Sequence, residues 1–300
     1  MSALNNLVLA TLPYIPRPIM RRLASRYIAG ETLDEALAKL TDLARRGHPG
    51  ILDILGEGIT SESEARNVLA EYKQAATRLA AASLDAYVSV KPTHLALTQS
   101  EPLCLELYTD LAEHCRSAKL FLRVEMEDHP TTDATLRVFE SLRTRFDNVG
   151  IVLQSRLFRT LDDIERLAPG PLDVRMVKGI YLEPPAIAHT EPEPIRAAYV
   201  ECTKKLLQRG AKLSLATHDE ELGDRCLALM REFHRRTDSY EFQVLLGVRE
   251  ELWEKWKRAG HRVRVYVPFG PEWRAYSQRR LRKNPQILRH VMRDALRRGK

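Results

Sequence analysis

The segment Tyr276-Ser277-Gln278-Arg279-Arg280 sets two guanidiniums on adjacent residues, with a tyrosine three and four positions before them. On a helix, residues three or four apart share a face, so one aromatic ring and two forked donors would surround a common spot. An arginine fork pairs with a carboxylate through two parallel hydrogen bonds. The chemistry this suits is recognition of a small molecule with an apolar body and a carboxylate. Arg274, Arg282 and Lys283 lie close by and would equally suit a solvated basic helix, so the rest of the chain has to decide.

A second group of polar residues closes short apolar runs: Lys91, Glu125, Glu127, Asp128, Gln154, Arg175, Lys178, Thr217, His218, Asp219 and Tyr266. Each has an ordinary explanation, such as a Lys91–Glu125 ion pair or a histidine that ends a strand. Glu125, Glu127, Asp128, His218 and Asp219 could form a metal site, but a single strand-end histidine and the lack of any HExxH spacing argue against one. No serine or cysteine closes a strand beside a histidine. Gly56-Glu57-Gly58 lacks the third glycine of a dinucleotide fingerprint. Gln154, Arg175, Lys178-Gly179 and Thr217-His218, at successive run ends, could hold a planar, phosphorylated cofactor through side chains.

The elements that must position these residues alternate. Strand patterns are expected at Ile51–Leu55, Ala86–Lys91, Phe121–Glu127, Val149–Gln154, Asp173–Lys178, Lys212–Thr217, Phe242–Gly247 and Arg262–Val267. Helical patterns separate them, with Ser61 and Glu64 as a capping box, Thr132 or Asp133 as a later cap, and Thr160 ahead of Leu161–Leu167. Further helices are expected over Pro102–Ser117, Glu191–Arg209, Glu220–Arg236 and Arg249–Ala259, with the Tyr276 helix last. Eight strands alternating with helices predict a (β/α)8 TIM-type barrel over residues 47–300, preceded by an amphipathic helical arm over 1–46. In such barrels chemistry sits at the carboxyl ends of the strands, which is where the polar group falls. The last helix would then fold over the site.

Composition is consistent with this. An apolar fraction of 44% supports a large core. Cys104, Cys115, Cys202 and Cys226 show neither CxxC spacing nor histidine neighbours, and read as reduced thiols of a cytoplasmic protein. The apolar stretch Leu7–Ile15 is interrupted by Pro13, is too short to span a bilayer and has no basic lead-in, so no signal peptide is expected. Charge is concentrated at one end: Arg274 to Lys300 holds ten Lys/Arg and one acid, a net of +9, against +7 for the whole chain. That end reads first as a solvated helix and then as a contact for anionic lipid. Without interleaved aromatics, nucleic acid is not expected.

The runs Val149-Gly150-Ile151-Val152-Leu153-Gln154, Val174-Arg175-Met176-Val177-Lys178-Gly179-Ile180-Tyr181, Ala216-Thr217-His218-Asp219 and Glu241-Phe242-Gln243-Val244-Leu245, with the closing Tyr276-x-x-Arg279-Arg280, resemble those of proline dehydrogenases. The likeness is to the short monofunctional bacterial enzymes and runs from about Leu52 to Leu288 in family order. It implies an FAD-dependent barrel that oxidises L-proline to 1-pyrroline-5-carboxylate, the first step of proline catabolism. It also implies a membrane quinone as electron acceptor, and so a protein docked on the inner face of the cell membrane.

Carried over by position, Met126, Gln154, Arg175, Val177, Lys178, Gly179, Ile180, Thr217 and His218 would contact FAD, with Arg175 near the reactive flavin nitrogen. Lys91, Leu245, Tyr266, Tyr276, Arg279 and Arg280 would surround proline. Glu125 and Arg175 are the expected catalytic residues, with Glu125 paired to Lys91. Three positions depart from the family's usual residues: Glu125 stands for aspartate, Ile180 for alanine and Lys283 for glutamate. Another cyclic imino acid such as hydroxyproline, or a remodelled barrel without catalysis, stays open as an alternative.

Overall fold

The computed structural model describes residues 20–21, 24–56 and 58–283, with backbone alone over 279–283. Eight strands form a closed barrel in sequence order: β1 (Gly50–Ile54), β2 (Ala86–Val90), β3 (Leu122–Val124), β4 (Val149–Gln154), β5 (Asp173–Val177), β6 (Lys212–Ala216), β7 (Tyr240–Leu245) and β8 (Val263–Phe269). Every pairing is parallel, and β1 closes the barrel on β8 from Gly50↔Val265 to Ile54↔Phe269. The helices are α1 (Leu33–Arg45), α2 (Glu62–Ala81), α3 (Glu101–Ser117), α4 (Thr132–Arg143), α5 (Thr160–Arg166), α6 (Pro192–Gln208), α7 (Glu220–Glu232), α8 (Glu250–Arg258) and α9 (Trp273–Lys283). This is the (β/α)8 fold expected from the alternation. The Leu7–Ile15 stretch, the start of the arm and the basic tail past residue 283 lie outside the described residues. No helix among the described residues is long and apolar enough to cross a membrane.

Local chemistry explains the boundaries. Thr32 and Glu35 form a reciprocal capping box that starts α1. Ser61 caps α2 by accepting from Glu64 N, while the Glu64 carboxylate reaches back chiefly to Thr60 N, at 2.7 Å, one residue before the cap. Neither Thr132 nor Asp133 caps α4; a 3-10 turn over His129–Thr131 leads into it, and the Asp133 carboxylate instead accepts from Arg159. Strand β3 is shorter than its apolar run because Glu125 to Glu127 turn away into the site and Asp128 leads into a 3-10 turn, although Glu125 N still donates to Val90 O at 2.9 Å. Helix α7 stops at Glu232 because His234 turns left-handed at φ 50°.

The apolar core lies between the outer faces of the strands and the helices. Three helix tyrosines peg the two layers together near the carboxyl ends of the strands. Tyr108 Oη donates to Val90 O at 2.6 Å, Tyr199 Oη to Met176 O at 2.7 Å, and Tyr72 Oη to Ile54 O at 3.3 Å. Each satisfies a buried carbonyl. Inside the barrel the filling is different: Tyr87, Ser89, Arg123, Arg175, Glu241, Gln243 and Arg264 are all buried there, linked to one another and to strand ends. The axis of this barrel is polar where branched aliphatics are usual.

Candidate active site

A cavity of about 750 Å³ opens at the carboxyl ends of the strands. It gathers Lys91, Glu125, Met126, Gln154, Arg175, Val177, Lys178, Gly179, Ile180, Thr217, His218, Leu245, Tyr266 and Tyr276 into one lining. The side chains of Arg279 and Arg280 lie outside the described residues. Their backbone continues α9 one turn beyond Tyr276, so the three- and four-residue spacing does fall on a helix.

One wall is charged. Glu125 Oε1 accepts from Ser89 Oγ at 2.5 Å, from Arg175 Nη1 at 2.5 Å and from Tyr266 Oη at 3.2 Å. Burial works against the Glu125 charge, but Arg175 and Ser89 outweigh it and hold the carboxyl below its ordinary range. Burial likewise opposes the Arg175 charge, and Glu125 reverses the balance. Tyr266 is held far above the ordinary phenol value by burial and by the Asp53 and Glu125 carboxylates, so it stays a neutral donor. Its ring also faces the Arg175 guanidinium at 5.4 Å.

The expected Lys91–Glu125 ion pair is not formed. Lys91 Nζ pairs with Asp53, at 3.1 and 3.2 Å from its two oxygens, and Glu125 pairs with Arg175. The reason is register: β2 lies between β1 and β3, so a side chain at its end can turn to either neighbour. Ser89 and Arg175 already occupy Glu125 Oε1, and Asp53 sits 1% exposed in need of a cation. Burial disfavours the Lys91 ammonium, but Asp53 and Glu125 together hold it above its ordinary value. Lys91 is therefore a fixed cation.

A second region carries the groups a phosphate would need. Lys178 Nζ and Arg196 Nε both donate to Asp219 Oδ2, at 2.5 and 2.6 Å, at the amino terminus of α7, which Asp219 caps. Burial alone would raise Asp219, yet these two donors bring it down to about 2. Between the two regions, Gly179 is left-handed at φ 95°, and a Cβ there would meet Gln154 Oε1 at 2.8 Å. Gln154 is itself fixed by donating to Glu127 O at 2.6 Å. His218 Nε2 accepts from Leu245 N at 2.9 Å, which leaves Nδ1 as the donor of a neutral ring. Glu127, a candidate metal ligand by sequence, instead clamps Thr93 through its backbone N and hydroxyl at 2.9 and 2.8 Å.

Four contributors lay outside the sequence expectations. Asp53 was legible as an acid inside the apolar run Ile51-Leu52-Asp53-Ile54, and Ser89 as the period-two neighbour of Lys91. Gln243 lies within one of the quoted runs. Arg196 carries no motif and projects from a helix, so only the fold reveals it.

The sequence and the fold were compared with those of known proteins. The family model described as proline dehydrogenase matches residues 36–293. A proline dehydrogenase of Deinococcus radiodurans is 33% identical over 287 residues, covering 94% of this chain and 93% of that protein. Proline dehydrogenase 1 of Bacillus subtilis strain 168 is 30% identical over 273 residues, covering 91% and 90%. Among solved structures, proline utilization A from Bdellovibrio bacteriovorus, inactivated by N-propargylglycine, superposes with a TM-score of 0.81 at 26% identity. That match takes in 86% of this chain and 32% of the longer one. A family match across most of the chain, relatives of the same length and a shared barrel all agree: the chain belongs to the proline dehydrogenase family of oxidoreductases.

Proposed function

We propose that this protein oxidises L-proline to 1-pyrroline-5-carboxylate with FAD and passes the electrons to a quinone. The observation that carries the reading is a single cavity that joins a charged wall, built on Lys91–Asp53 and Arg175–Glu125, to a cationic helix start at Lys178, Arg196 and Asp219. FAD fits these residues on three grounds. Lys178, Arg196 and the α7 amino terminus suit a pyrophosphate. Gly179, where a Cβ would crowd Gln154, lets a planar group approach the backbone closely. Met126, Val177, Ile180 and Thr217 give the apolar contact, with Gln154, Arg175 and His218 as directed donors. When bound, FAD supplies the two-electron acceptor.

The chain's own residues then bind and orient. Arg279 and Arg280, on the helix that carries Tyr276 into the cavity lining, are assigned the neutralisation of the substrate carboxylate. Tyr276, Leu245 and Tyr266 cover the ring, and Lys91, held by Asp53, sets a fixed ammonium in the wall beside it. Glu125 holds Arg175 in place through the 2.5 Å bond that its ionised carboxylate, which can only accept, takes from Nη1. Holding the reacting carbon in one orientation is the main contribution such a site makes.

The test is optical. Purified protein should carry a flavin spectrum that bleaches on addition of L-proline under anaerobic conditions. A colourless protein that takes up no FAD would rule the reading out.

Docking on anionic lipid is proposed for the +9 segment between Arg274 and Lys300, as the means of reaching a membrane-dissolved quinone. Each basic residue near such a surface contributes about 1 kcal/mol, weakening with salt. Co-sedimentation with phosphatidylserine vesicles should fall in high salt. Equal binding to neutral vesicles would remove the electrostatic part of the proposal.

A further inference from the structure

Gln243 is 3% exposed inside the barrel, and its amide is used at both ends. Nε2 donates to Glu241 Oε1 at 2.6 Å and to Tyr87 Oη at 2.7 Å. Burial works against the Glu241 charge, but Arg264 and Arg262 outweigh it and hold the carboxyl below its usual range. An ionised carboxylate only accepts, so the end of the amide that faces Glu241 must be the nitrogen. Oε1 is then left for Arg175, and it takes the Nε–H of that guanidinium at 2.5 Å.

Arg175 thus has two short anchors, Gln243 on Nε and Glu125 on Nη1. Two anchors at different corners fix a planar fork in its plane, where one would leave it free to turn. The other guanidinium nitrogen, Nη2, makes only long contacts, 3.3 Å to Ser89 Oγ and 3.4 Å to Tyr87 Oη. The amide also acts as a neutral spacer. It keeps Glu241 one side chain away from Arg175, so that the cation facing the cavity is shared with one carboxylate and not two.

We propose that Gln243 is the positioning residue for Arg175: it sets the direction in which this cation faces the cavity and insulates it from Glu241. The inference rests on the reading above, in which Arg175 lies against bound FAD.

Two variants of the holoenzyme test it. Gln243→Met keeps the length of the side chain and offers Arg175 no comparable acceptor. It should retain FAD, keep KM for proline within about twofold and lose about tenfold or more in kcat, as small misplacements of a reacting group do. The midpoint potential of the flavin should fall by about 30 mV, the equivalent of a tenfold change in a two-electron equilibrium. Gln243→Glu keeps both bonds that govern Arg175 while the new carboxyl is protonated, because its O–H can donate to Glu241 and its carbonyl accept from Arg175; only the Tyr87 contact must reverse, with the phenol donating in place of accepting. Its kcat and potential should match wild type at acid pH and fall as pH rises through the ionisation of that carboxyl, which Glu241 beside it raises and Arg175 and Arg264 oppose.

The proposal is overturned by wild-type kcat and potential in Gln243→Met with only a lower Tm. It is equally overturned by a Gln243→Glu pH profile parallel to that of wild type, or by failure of both variants to fold, which would mark a position that merely holds the barrel together. If the wild-type protein takes up no FAD, or its flavin is not reduced by proline, it is the functional reading that fails.

Discussion

Glu125 receives three donors on one oxygen, from Ser89, Arg175 and Tyr266, and that crowding fixes a point which an aspartate, one methylene shorter, would not reach. The extra methylene is what carries Oε1 to the place where the three donors meet. Glu125→Asp withdraws the carboxylate by roughly 1.5 Å, one carbon–carbon bond, and should lower kcat/KM for proline by about tenfold, ~1.4 kcal/mol. A value equal to or above wild type would show that the shorter side chain is the better fit. At this scale the sequence was informative about which residues meet and uninformative about how they pair. Lys91 and Glu125 both line the cavity as expected, yet each has a different ion partner. Pairing depends on which acid lies across the neighbouring strand, and a strand's own residues do not carry that. The roles of Asp53 and Gln243 are hidden for the same reason: each acts on a residue of another strand.

Among the elements, the β5–α6 connection bears most directly on the site. It leaves β5 through Lys178 and the left-handed Gly179, and is strapped down by the antiparallel bridge Leu157↔Ala188 and by Glu183, which accepts from His129 N at 3.0 Å and lies 2.7 Å from its Nδ1. Gly179→Ala would force a Cβ into a backbone conformation that costs about 1–2 kcal/mol for an L-residue. It would also press on Gln154. We expect a lower Tm together with a reduced flavin-to-protein ratio; an unchanged ratio would separate the turn from cofactor binding. The strands themselves were well marked, because a strand buried on both faces is a dense apolar run closed by polar residues. The boundaries that moved did so for tertiary reasons. β8 extends to Phe269 because Leu55 N, just past β1, donates to its carbonyl at 2.7 Å, and β3 ends early because the polar residues that follow it are drawn into the cavity. No local pattern announces either event. The caps were legible where a serine or threonine precedes a charged first turn, as at Ser61, and illegible at α4, where a 3-10 turn performs the entry.

For the whole molecule, acid stability should be governed in part by His94. Its ring is 6% exposed, Nδ1 has no hydrogen-bond partner, and a Cβ on Gly56 would lie 2.2 Å from Nε2. Burial, and secondarily the Lys91 ammonium, lower its pKa from 6.5 to about 4. The folded state therefore binds fewer protons than the unfolded chain between these values. The stability present above pH 6.5 drains away as pH falls toward 4, by about 2 kcal/mol between pH 7 and 5 at ~1.4 kcal/mol per unit. Urea unfolding at the two pH values measures this, and His94→Phe should remove most of the difference. A slope unaltered by that substitution would assign the acid sensitivity elsewhere.

The polar axis of the barrel also shapes the temperature dependence of the fold. Heat capacity rises on unfolding as apolar surface is hydrated and falls as polar surface is hydrated. An interior of guanidiniums, carboxylates and amides, such as Arg123, Arg175, Arg264, Glu241 and Gln243, releases polar surface from a place where most barrels release aliphatic side chains. Calorimetry should therefore give a heat-capacity increment per residue below the ordinary range of about 12–15 cal/mol/K. The stability curve would be correspondingly flat, and the protein would lose less of its stability on cooling than a barrel filled with valine and leucine.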